Sequence, residues 1–486
     1  MLRVFLLPEP ELFFGENNKC IDPQVGLLNY GPHGGFGGDR SKQSSITAGI
    51  IGTDRSINAT RLWLERLKHR IAAEETSNTE YKGIDFPGLD KEGPLGFEIE
   101  IDDNCVIKIS NKFINSLESL TRKERISLTV NEYSLKFDDL KEAHPAPQII
   151  LLPIDDGLLK LCKEPYRKNE KIVYQKREFG DPDSTSAELF DFHNYLKAQA
   201  ALRGLVTQMI TPKTLTFADE KQSAALIGWN VSVGIYYKAT GTPWKLAEID
   251  DDTCYVGISF YNDIGEYNKT VRASIAQVYM RTGESQVIRG RPFDWDQVKY
   301  GRNVHLDASE MANLISDSIE LFRRQRNRPP KRVVVHKSTR FSDEEIAGCA
   351  SSCENIDELD IVNIADYTKF RAYHVGEDYP VVRGTVISND SEAMLFTMGF
   401  IPALGTYPGP SVPRPLHISC QRLDTSIETV CRDILVLTKL DWNSSTFCMR
   451  QPVTIGVSRK VGSVMAEMMA GSDKPPSSYK YYMYKK

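Results

Sequence analysis

Short apolar runs alternate with helical segments in the first half of this chain, and that alternation strongly constrains its fold. The run at 147–154 (PQIILLPI) is bounded by proline and by two aspartates, and its length fits a core strand. A second buried strand is predicted at 46–52 (ITAGIIG), and a helix is predicted at 60–75. Because strands and helices alternate, the sequence favours an α/β sheet.

The second half begins with strands and then changes to helices. Residues 254–263 alternate in polarity and are rich in β-formers, and 275–293 are predicted to form a hairpin. Asp307 is predicted to cap a helix, 333–338 (VVVHKS) to form a buried strand, and Thr425 to cap a later helix. This order of hairpin, helix, strand and further helices matches that of an RNase H-like α/β domain.

The composition is that of a globular protein without a strong charge signature. The 486 residues are 41% hydrophobic and carry a formal net charge of −5, although a local groove can still be basic. No apolar run approaches the roughly 18 residues that span a bilayer, and the start lacks a signal-type apolar region. Nine scattered cysteines, of which only Cys349 and Cys353 are close together, lack zinc-site spacing. We expect a cytoplasmic location with reduced thiols.

Four polar residues have spacings suited to gripping one end of a nucleic acid. They are His193, Lys197, Gln208 and Lys238, at intervals of 4, 11 and 30 residues. His193 and Lys197 are four apart, so they share one face of a predicted helix. A terminal phosphate carries about two charges and needs several convergent donors. The set therefore predicts a phosphate site, although each residue alone also fits an ordinary solvated position.

The helix that carries the first two residues is predicted over 187–203. Ser186 is its predicted N-cap and Gly204 its predicted stop. Gln208 follows in a predicted strand, and a helix then leads to Lys238. Helix, strand and helix in this order can bring all four polar side chains together.

Eight stretches of the chain, including those around the four polar residues, carry a family resemblance. In order they resemble the Argonaute family, most closely the short prokaryotic Argonautes. No single stretch is specific to the family, but the eight stretches in the family's order are specific, and they span nearly the whole chain. The stretches are DPQVGLLNYGP (22–32), FHNYLKAQ with VTQ, YYKATGTPWKL (236–246), VVVHKSTRF (333–341), GFIPALGTYPG (399–409), LTKLDWNSS (437–445), QPVTIGVSRKVG (451–462) and YKYYM (479–483).

The resemblance implies two domains. A Rossmann-like MID domain, together with an N-terminal segment, would occupy residues 1–235, and an RNase H-like PIWI domain would occupy 236–486. Short members of the family lack the N-terminal and PAZ domains, and MID and PIWI would account for all of this chain. His193, Lys197, Gln208 and Lys238 would then form the pocket for the guide 5′-phosphate.

Cleaving members of the family hold two divalent metals in the PIWI domain with four acidic or histidine residues, which supply hard ligands. This chain has Ser259 at the first matching position, Ser338 at the third and Arg459 at the fourth. The second position has no secure match, and Glu284 is a loose candidate. Because serine and arginine do not replace carboxylates as metal ligands, we expect a chain that does not cut and is not an enzyme. Arg459 would favour a phosphate backbone over cations.

The resemblance also implies partners. These are a 5′-phosphorylated guide RNA, a complementary single-stranded DNA target, and a separate APAZ-domain protein fused to an effector such as TIR, Sir2 or a nuclease. The two proteins would form a heterodimer, with higher oligomers on activation. Target recognition would then trigger abortive infection as an immune response. Nothing in the sequence selects the effector, and TIR is expected by frequency alone.

Two basic segments are further candidates for nucleic-acid contact. The run after the Asp307 helix is a candidate duplex-backbone patch, and its alternative is a solvated helix end favoured by the helix dipole. In similar proteins the terminal carboxylate helps bind a metal beside the guide phosphate, so Mg²⁺ near the C-terminus is an open expectation. Here three extra residues argue against that role, and Lys485 and Lys486 could contact phosphate directly. The basic run consists of Arg323, Arg324, Arg326, Arg328, Lys331 and Arg332.

Two other functions stay open from the sequence. A guide-directed endonuclease would need at least three relocated carboxylates, for which Asp263, Glu284 and Asp294 are the near candidates. A structural scaffold would bind only its protein partner and no guide. A cleavage assay distinguishes the first alternative, and guide affinity distinguishes the second.

Overall fold

The computed structural model consists mainly of two sheets with helices packed against them. Among the described residues, no helix is both long enough and apolar enough to cross a membrane. The described residues are 2–33, 44–74, 83–163, 167–168, 171–172, 191–218, 222–239, 241–263, 271–279, 285–293, 304–366, 368–373, 375, 379–407, 412–456, 458–469 and 478–480.

The strands and helices are numbered here in chain order. The strands are β1 (Arg3–Leu6), β2 (Leu12–Phe14), β3 (Asn18–Cys20), β4 (Ser44–Gly52), β5 (Phe97–Lys108), β6 (Ile149–Pro153), β7 (Arg167–Lys168), β8 (Lys171–Ile172), β9 (Thr207–Ile210), β10 (Lys245–Leu246), β11 (Thr253–Asp263), β12 (Val271–Tyr279), β13 (Ser285–Phe293), β14 (Arg332–Lys337), β15 (Glu358–Ala365), β16 (Thr385–Ser388), β17 (Glu392–Leu395), β18 (Leu416–Leu423) and β19 (Ser478–Lys480). The helices are α1 (Pro23–Tyr30), α2 (Asp54–Leu67), α3 (Asn111–Ser116), α4 (Arg122–Lys141), α5 (Asp156–Lys163), α6 (Phe192–Leu202), α7 (Pro212–Leu215), α8 (Ala224–Lys238), α9 (Ala308–Arg326), α10 (Asp343–Ser352), α11 (Ile427–Leu437), α12 (Val453–Gly456) and α13 (Ser458–Met469).

A four-stranded parallel sheet forms the centre of the first half. Its order is β5–β4–β6–β9, and every neighbouring pair is parallel. The apolar run predicted as a core strand is β6, and all five of its residues are buried. Helices α2, α4 and α6 contact this sheet. The α/β prediction with a Rossmann-like first domain is therefore confirmed as a fold class.

A ten-stranded mixed sheet forms the second half. Its order is β1–β16–β17–β18–β15–β14–β11–β12–β13–β19. The central strands β11, β14 and β15 are parallel, whereas β12 pairs antiparallel with β11 and β18 with β15. The predicted hairpin is formed by β12 and β13. Parallel central strands beside an antiparallel hairpin agree with the predicted RNase H-like order.

The N-terminal segment lies on strands of the second half. β1 pairs with β16 in the ten-stranded sheet, and β2 pairs with β10. The predicted domain division instead groups this segment with residues 1–235. The predicted boundary between 235 and 236 also falls inside α8, which continues to Lys238. The first residues of the chain thus fold with the sheet that is farthest from them in sequence.

The structure confirms one predicted helix cap and corrects another. The side chain of Asp307 caps α9 by accepting from the backbone N–H of Glu310 at 2.7 Å, as predicted. The predicted cap Thr425 is wrong, because Ser426 caps α11 by accepting from the backbone N–H of Thr429 at 3.1 Å. The helix predicted at 60–75 is α2, which starts earlier at Asp54 and ends at Leu67.

Arg332 belongs to a buried ion network, and its prediction as a duplex contact is wrong. Its side chain is 9% exposed; Nε donates to Asp360 at 2.8 Å and Nη1 donates to Asp433 at 2.7 Å. Burial raises the pKa of Asp433 above its ordinary value, and the charge of Arg332 opposes that rise without reversing it. Arg332 therefore ties β14 to β15 and α11 and does not reach solvent.

The other five members of the basic run form ion pairs at the surface. Their roles as duplex contacts remain a prediction, but each charge is partly offset by a nearby carboxylate. Arg323 and Arg324 pair with Glu320, Arg326 with Asp251, and Arg328 and Lys331 with Asp252.

Replacing Arg332 by Ala should strongly destabilise the fold. The change leaves two buried carboxylates without their cation, which typically costs about 3–5 kcal/mol. Arg324→Ala is the matched control, because an exposed pair contributes at most about 1 kcal/mol. Chemical denaturation of both variants measures the free energy of unfolding. Equal losses in the two variants would contradict a structural role for Arg332.

Candidate functional site

Residues from α6, β9 and the end of α8 line one small pocket. The helix α6 contributes His193 and Lys197, and Lys238 is the last residue of α8. Three of the four polar residues predicted from spacing therefore lie around one cavity. The complete lining is Leu152, His193, Leu196, Lys197, Thr207, Met209 and Lys238.

Helix α6 is fixed at both ends by local signals. The Asp191 side chain accepts from the backbone N–H of Asn194 at 2.9 Å, so Asp191 is the N-cap. The predicted stop is confirmed, because Gly204 adopts a φ of 76°, a left-handed value that glycine adopts readily. The predicted N-cap is wrong, since the helix begins at Phe192; Ser186 itself lies outside the described residues.

The two lysines of the pocket are almost completely buried. Lys197 is 5% exposed and Lys238 is 1% exposed. Placing cations away from water is costly, and an anion that accepts hydrogen bonds from them offsets that cost. With the imidazole of His193 and the hydroxyl of Thr207 nearby, the lining can donate to one phosphate group from several sides.

Gln208 is placed differently from the prediction. Side chains alternate across a strand, and the residues of β9 that line the pocket are Thr207 and Met209. Gln208 instead accepts from Lys238 Nζ through Oε1 and donates from Nε2 to the Met209 carbonyl at 2.9 Å. Gln208 therefore supports Lys238 by a hydrogen bond and is not part of the pocket lining. Thr207 was not among the residues predicted from spacing, although the period of two along a strand could have indicated it.

The described lining of this pocket does not fit a Mg²⁺ ion. Mg²⁺ prefers carboxylate, carbonyl and water oxygens in octahedral geometry. The pocket offers two ammonium groups and an imidazole, and the amide oxygen of Gln208 is already used by Lys238. The charge of a phosphate would be balanced here by lysine. Lys485 and Lys486, and any metal bound near them, lie outside the described residues.

Two of the positions matched to the metal site lie on neighbouring central strands of the ten-stranded sheet. β11 and β14 are parallel, and their pairing ends with Ile258 beside Lys337. The next residues are Ser259, which lies inside β11, and Ser338, which directly follows the end of β14. Arg459 lies in the first turn of α13, which contacts β11; its side chain is outside the described residues. The structure therefore brings two serines together where the resemblance expects carboxylates.

None of the three candidate carboxylates for a relocated metal site has a described side chain. Glu284 and Asp294 lie outside the described residues, and Asp263 ends β11 with its side chain undescribed. Within the described part of the chain, no three His, Cys, Asp or Glu side chains are grouped to hold a metal.

The sheet face beside the two serines is covered closely by α12. A Cβ atom on Gly257 would lie 2.1 Å from the backbone oxygen of Thr454, so only glycine allows this approach. On the neighbouring strand, His336 Nδ1 lies 2.8 Å from the Thr454 hydroxyl. Burial, together with the charge of Arg332, lowers the pKa of His336 to about 3. His336 is therefore a neutral packing residue of this face.

Comparisons with known proteins identify the architecture. No family model and no curated protein matches the sequence. Clostridium butyricum Argonaute, solved with a guide DNA and a 19-mer target DNA, matches with a TM-score of 0.65 and 15% identity over 98% of this chain and 54% of that chain. Aquifex aeolicus Argonaute matches with a TM-score of 0.57 and 15% identity over 99% and 57%. The fold is an Argonaute fold.

The Argonaute fold accounts for both sheets and for their order along the chain. The four-stranded parallel sheet corresponds to a MID-like half and the ten-stranded sheet to a PIWI-like half. The chain spans about half the length of the solved structures that it matches. At 15% identity the likeness establishes the fold, and the function requires the residues of this chain.

Acidification should destabilise the protein through His336. The unfolded chain binds a proton on this histidine near pH 6.5, whereas the folded chain does so only near pH 3, so stability is lost as pH falls between these values. From pH 6.5 to pH 5 this group alone should lower the free energy of unfolding by about 2 kcal/mol. Urea unfolding of wild type, His336→Asn and the exposed-site control His69→Asn measures this. Identical pH slopes in wild type and His336→Asn would refute it.

Proposed function

We propose that this chain binds a 5′-phosphorylated guide RNA and uses it to recognise complementary single-stranded DNA. The observation that carries the proposal is the pocket in which His193, Lys197 and Lys238 converge. The Argonaute fold supports it, because a solved protein with this fold was bound to a guide DNA and a target DNA. In this proposal the guide 5′-phosphate occupies the pocket and base pairing reads the target sequence.

The charge of the pocket explains why a phosphate is the proposed ligand. Lys197 and Lys238 approach from different helices, and Gln208 holds the second lysine in place. A terminal phosphate has about two negative charges and several acceptor oxygens. A 5′-hydroxyl lacks that charge, so the pocket should discriminate between the two guide ends.

We further propose that the chain does not cut its target. Ser259 and Ser338 follow the last residues paired between β11 and β14, and both are neutral hydroxyls at the first and third matching positions. Two divalent cations need several negatively charged oxygen ligands. In this proposal the PIWI-like half holds the guide–target duplex by its A-form shape and backbone charge.

The proposed biological role is that of a sensing subunit. On the resemblance of the eight sequence stretches, the chain would act in the prokaryotic cytoplasm with an APAZ-domain protein that carries a TIR effector. Target recognition would activate that partner and cause abortive infection. The gene next to this one is the direct place to look for such a partner.

Removal of the two pocket lysines should abolish preferential binding of 5′-phosphorylated guides. The double variant Lys197→Ala/Lys238→Ala loses two charge-assisted contacts and should weaken binding by roughly 3–6 kcal/mol. Lys160→Ala is the control, because this lysine is 74% exposed and pairs with Asp156. Titration with 5′-phosphate and 5′-hydroxyl guides gives the affinities. Unchanged affinity in the double variant would favour the scaffold alternative.

The wild-type chain should yield no cleaved target. The assay combines a 5′-phosphorylated guide, complementary DNA or RNA, and Mg²⁺ or Mn²⁺, with a cleaving Argonaute as the positive control. Binding of the same target is measured in parallel, so that an absent product is not confused with absent recognition. Any guide-dependent product would overturn the non-cutting proposal and support the endonuclease alternative.

A further inference from the structure

A buried carboxylate from the second half contacts the start of the pocket helix. Glu467 lies near the end of α13 and is 1% exposed. Its Oε1 accepts from the backbone N–H of Asp191 at 3.0 Å. Asp191 is the N-cap of α6, which carries His193 and Lys197. The contact thus joins the last helix described in the chain to the pocket, across 276 positions of sequence.

This contact replaces part of a capping box. In a capping box, the residue at the third helical position reaches back to the backbone N–H of the N-cap residue. In α4, Glu124 does this for Thr121 at 2.9 Å. In α6 the third position is Asn194, and Glu467 from α13 accepts from the N-cap amide instead. The box of α6 is therefore completed by a residue of the other half.

The electrostatic environment supports a specific role for this carboxylate. Partial negative charge accumulates at the C-terminal end of a helix, so α13 itself does not favour Glu467 near its own end. The N-terminal end of α6 carries partial positive charge and favours it. Burial and then the charge of Glu467 raise the pKa of Tyr195, which places the carboxylate close to the first turns of α6.

The position of the contact determines what it can control. His193 lies two residues after Asp191, and Lys197 lies one helical turn further on. The third pocket donor, Lys238, comes from α8 and is held by Gln208 of β9. A displacement of the first turn of α6 would separate the first two donors from the third, although the rest of the fold would remain.

We propose that Glu467 is a positioning residue that sets the geometry of the 5′-phosphate pocket from the PIWI-like half. The proposal rests on the proposed function of that pocket. Glu467 does not touch the guide; it holds the start of α6 so that His193 and Lys197 meet Lys238 around one phosphate. Its effect is therefore confined to recognition of the charged guide end.

The test compares two substitutions at this position. Glu467→Ala removes the acceptor for the Asp191 amide, and it should reduce the affinity ratio of 5′-phosphate to 5′-hydroxyl guides on the order of tenfold. Glu467→Gln keeps an acceptor oxygen of similar reach and should retain a ratio within about threefold of wild type. Glu124→Ala is the control for loss of a capping bond away from the pocket, because it removes the corresponding bond, at an exposed position, from α4. Thermal unfolding of each variant is measured alongside.

Each outcome has a distinct meaning. Loss of the ratio in Glu467→Ala, its rescue in Glu467→Gln and an unchanged ratio in Glu124→Ala would support the positioning role. Equal weakening of both guide types in Glu467→Ala, or an unchanged ratio, would overturn it. If the wild-type chain itself does not prefer 5′-phosphorylated guides, the proposed function is contradicted. If the wild-type chain shows the preference and Glu467→Ala keeps it, only the positioning role of Glu467 is contradicted.

Discussion

The close approach of α12 to the ten-stranded sheet is the constraint on which both the pocket helix contact and the positions around Ser259 depend. It requires Gly257, because a side chain there would collide with the carbonyl of Thr454. Thr454 also bonds His336 on the neighbouring strand, so α12 is fixed to β11 and β14 together. Helix α13 follows directly and contacts both β11 and α6. The packing of α12 on Gly257 therefore fixes where α13 begins, and α13 carries Glu467 to the start of the pocket helix α6.

A second buried network attaches the N-terminal segment to the PIWI-like half. Glu9 accepts from Arg383 at 2.9 Å and from Lys439 at 2.6 Å, and Lys439 also donates to the Ile21 carbonyl at 3.0 Å. Burial opposes ionisation of Glu9, but the two cations hold its pKa below its ordinary value. Lone buried charges are costly, whereas mutually paired ones are retained. This network explains why β1 and β2 pair with strands of the second half.

Sequence patterns predicted the elements that local chemistry determines. The apolar length of β6, the cap at Asp307 and the glycine stop at Gly204 each depend on neighbouring residues, and all three were correct. The burial of Arg332 could not be predicted in this way, because its partners Asp360 and Asp433 are 28 and 101 residues distant. A cluster of arginines has the same local sequence whether it faces a duplex or a buried carboxylate.

The pocket was predictable to the extent that its residues share a helix face or a fixed spacing. His193 and Lys197 are such a pair, and both line the cavity. Gln208 was expected to contact the ligand. Side chains alternate across a strand, so Thr207 and Met209 face the pocket, whereas Gln208 between them supports Lys238. No sequence pattern indicated Glu467, since its partner Asp191 is 276 residues away, at the start of α6.

Binding a phosphate and cutting one place opposite electrostatic demands on a protein. The pocket on α6 and α8 gathers cations that would balance one terminal phosphate without a metal. A cleavage site needs the reverse, since carboxylates must gather cations before any phosphate can react. Serine hydroxyls at 259 and 338 carry no charge to attract those metals. In the proposed function, neutral side chains at these two positions would therefore separate guide recognition from cleavage on charge alone, within the same fold.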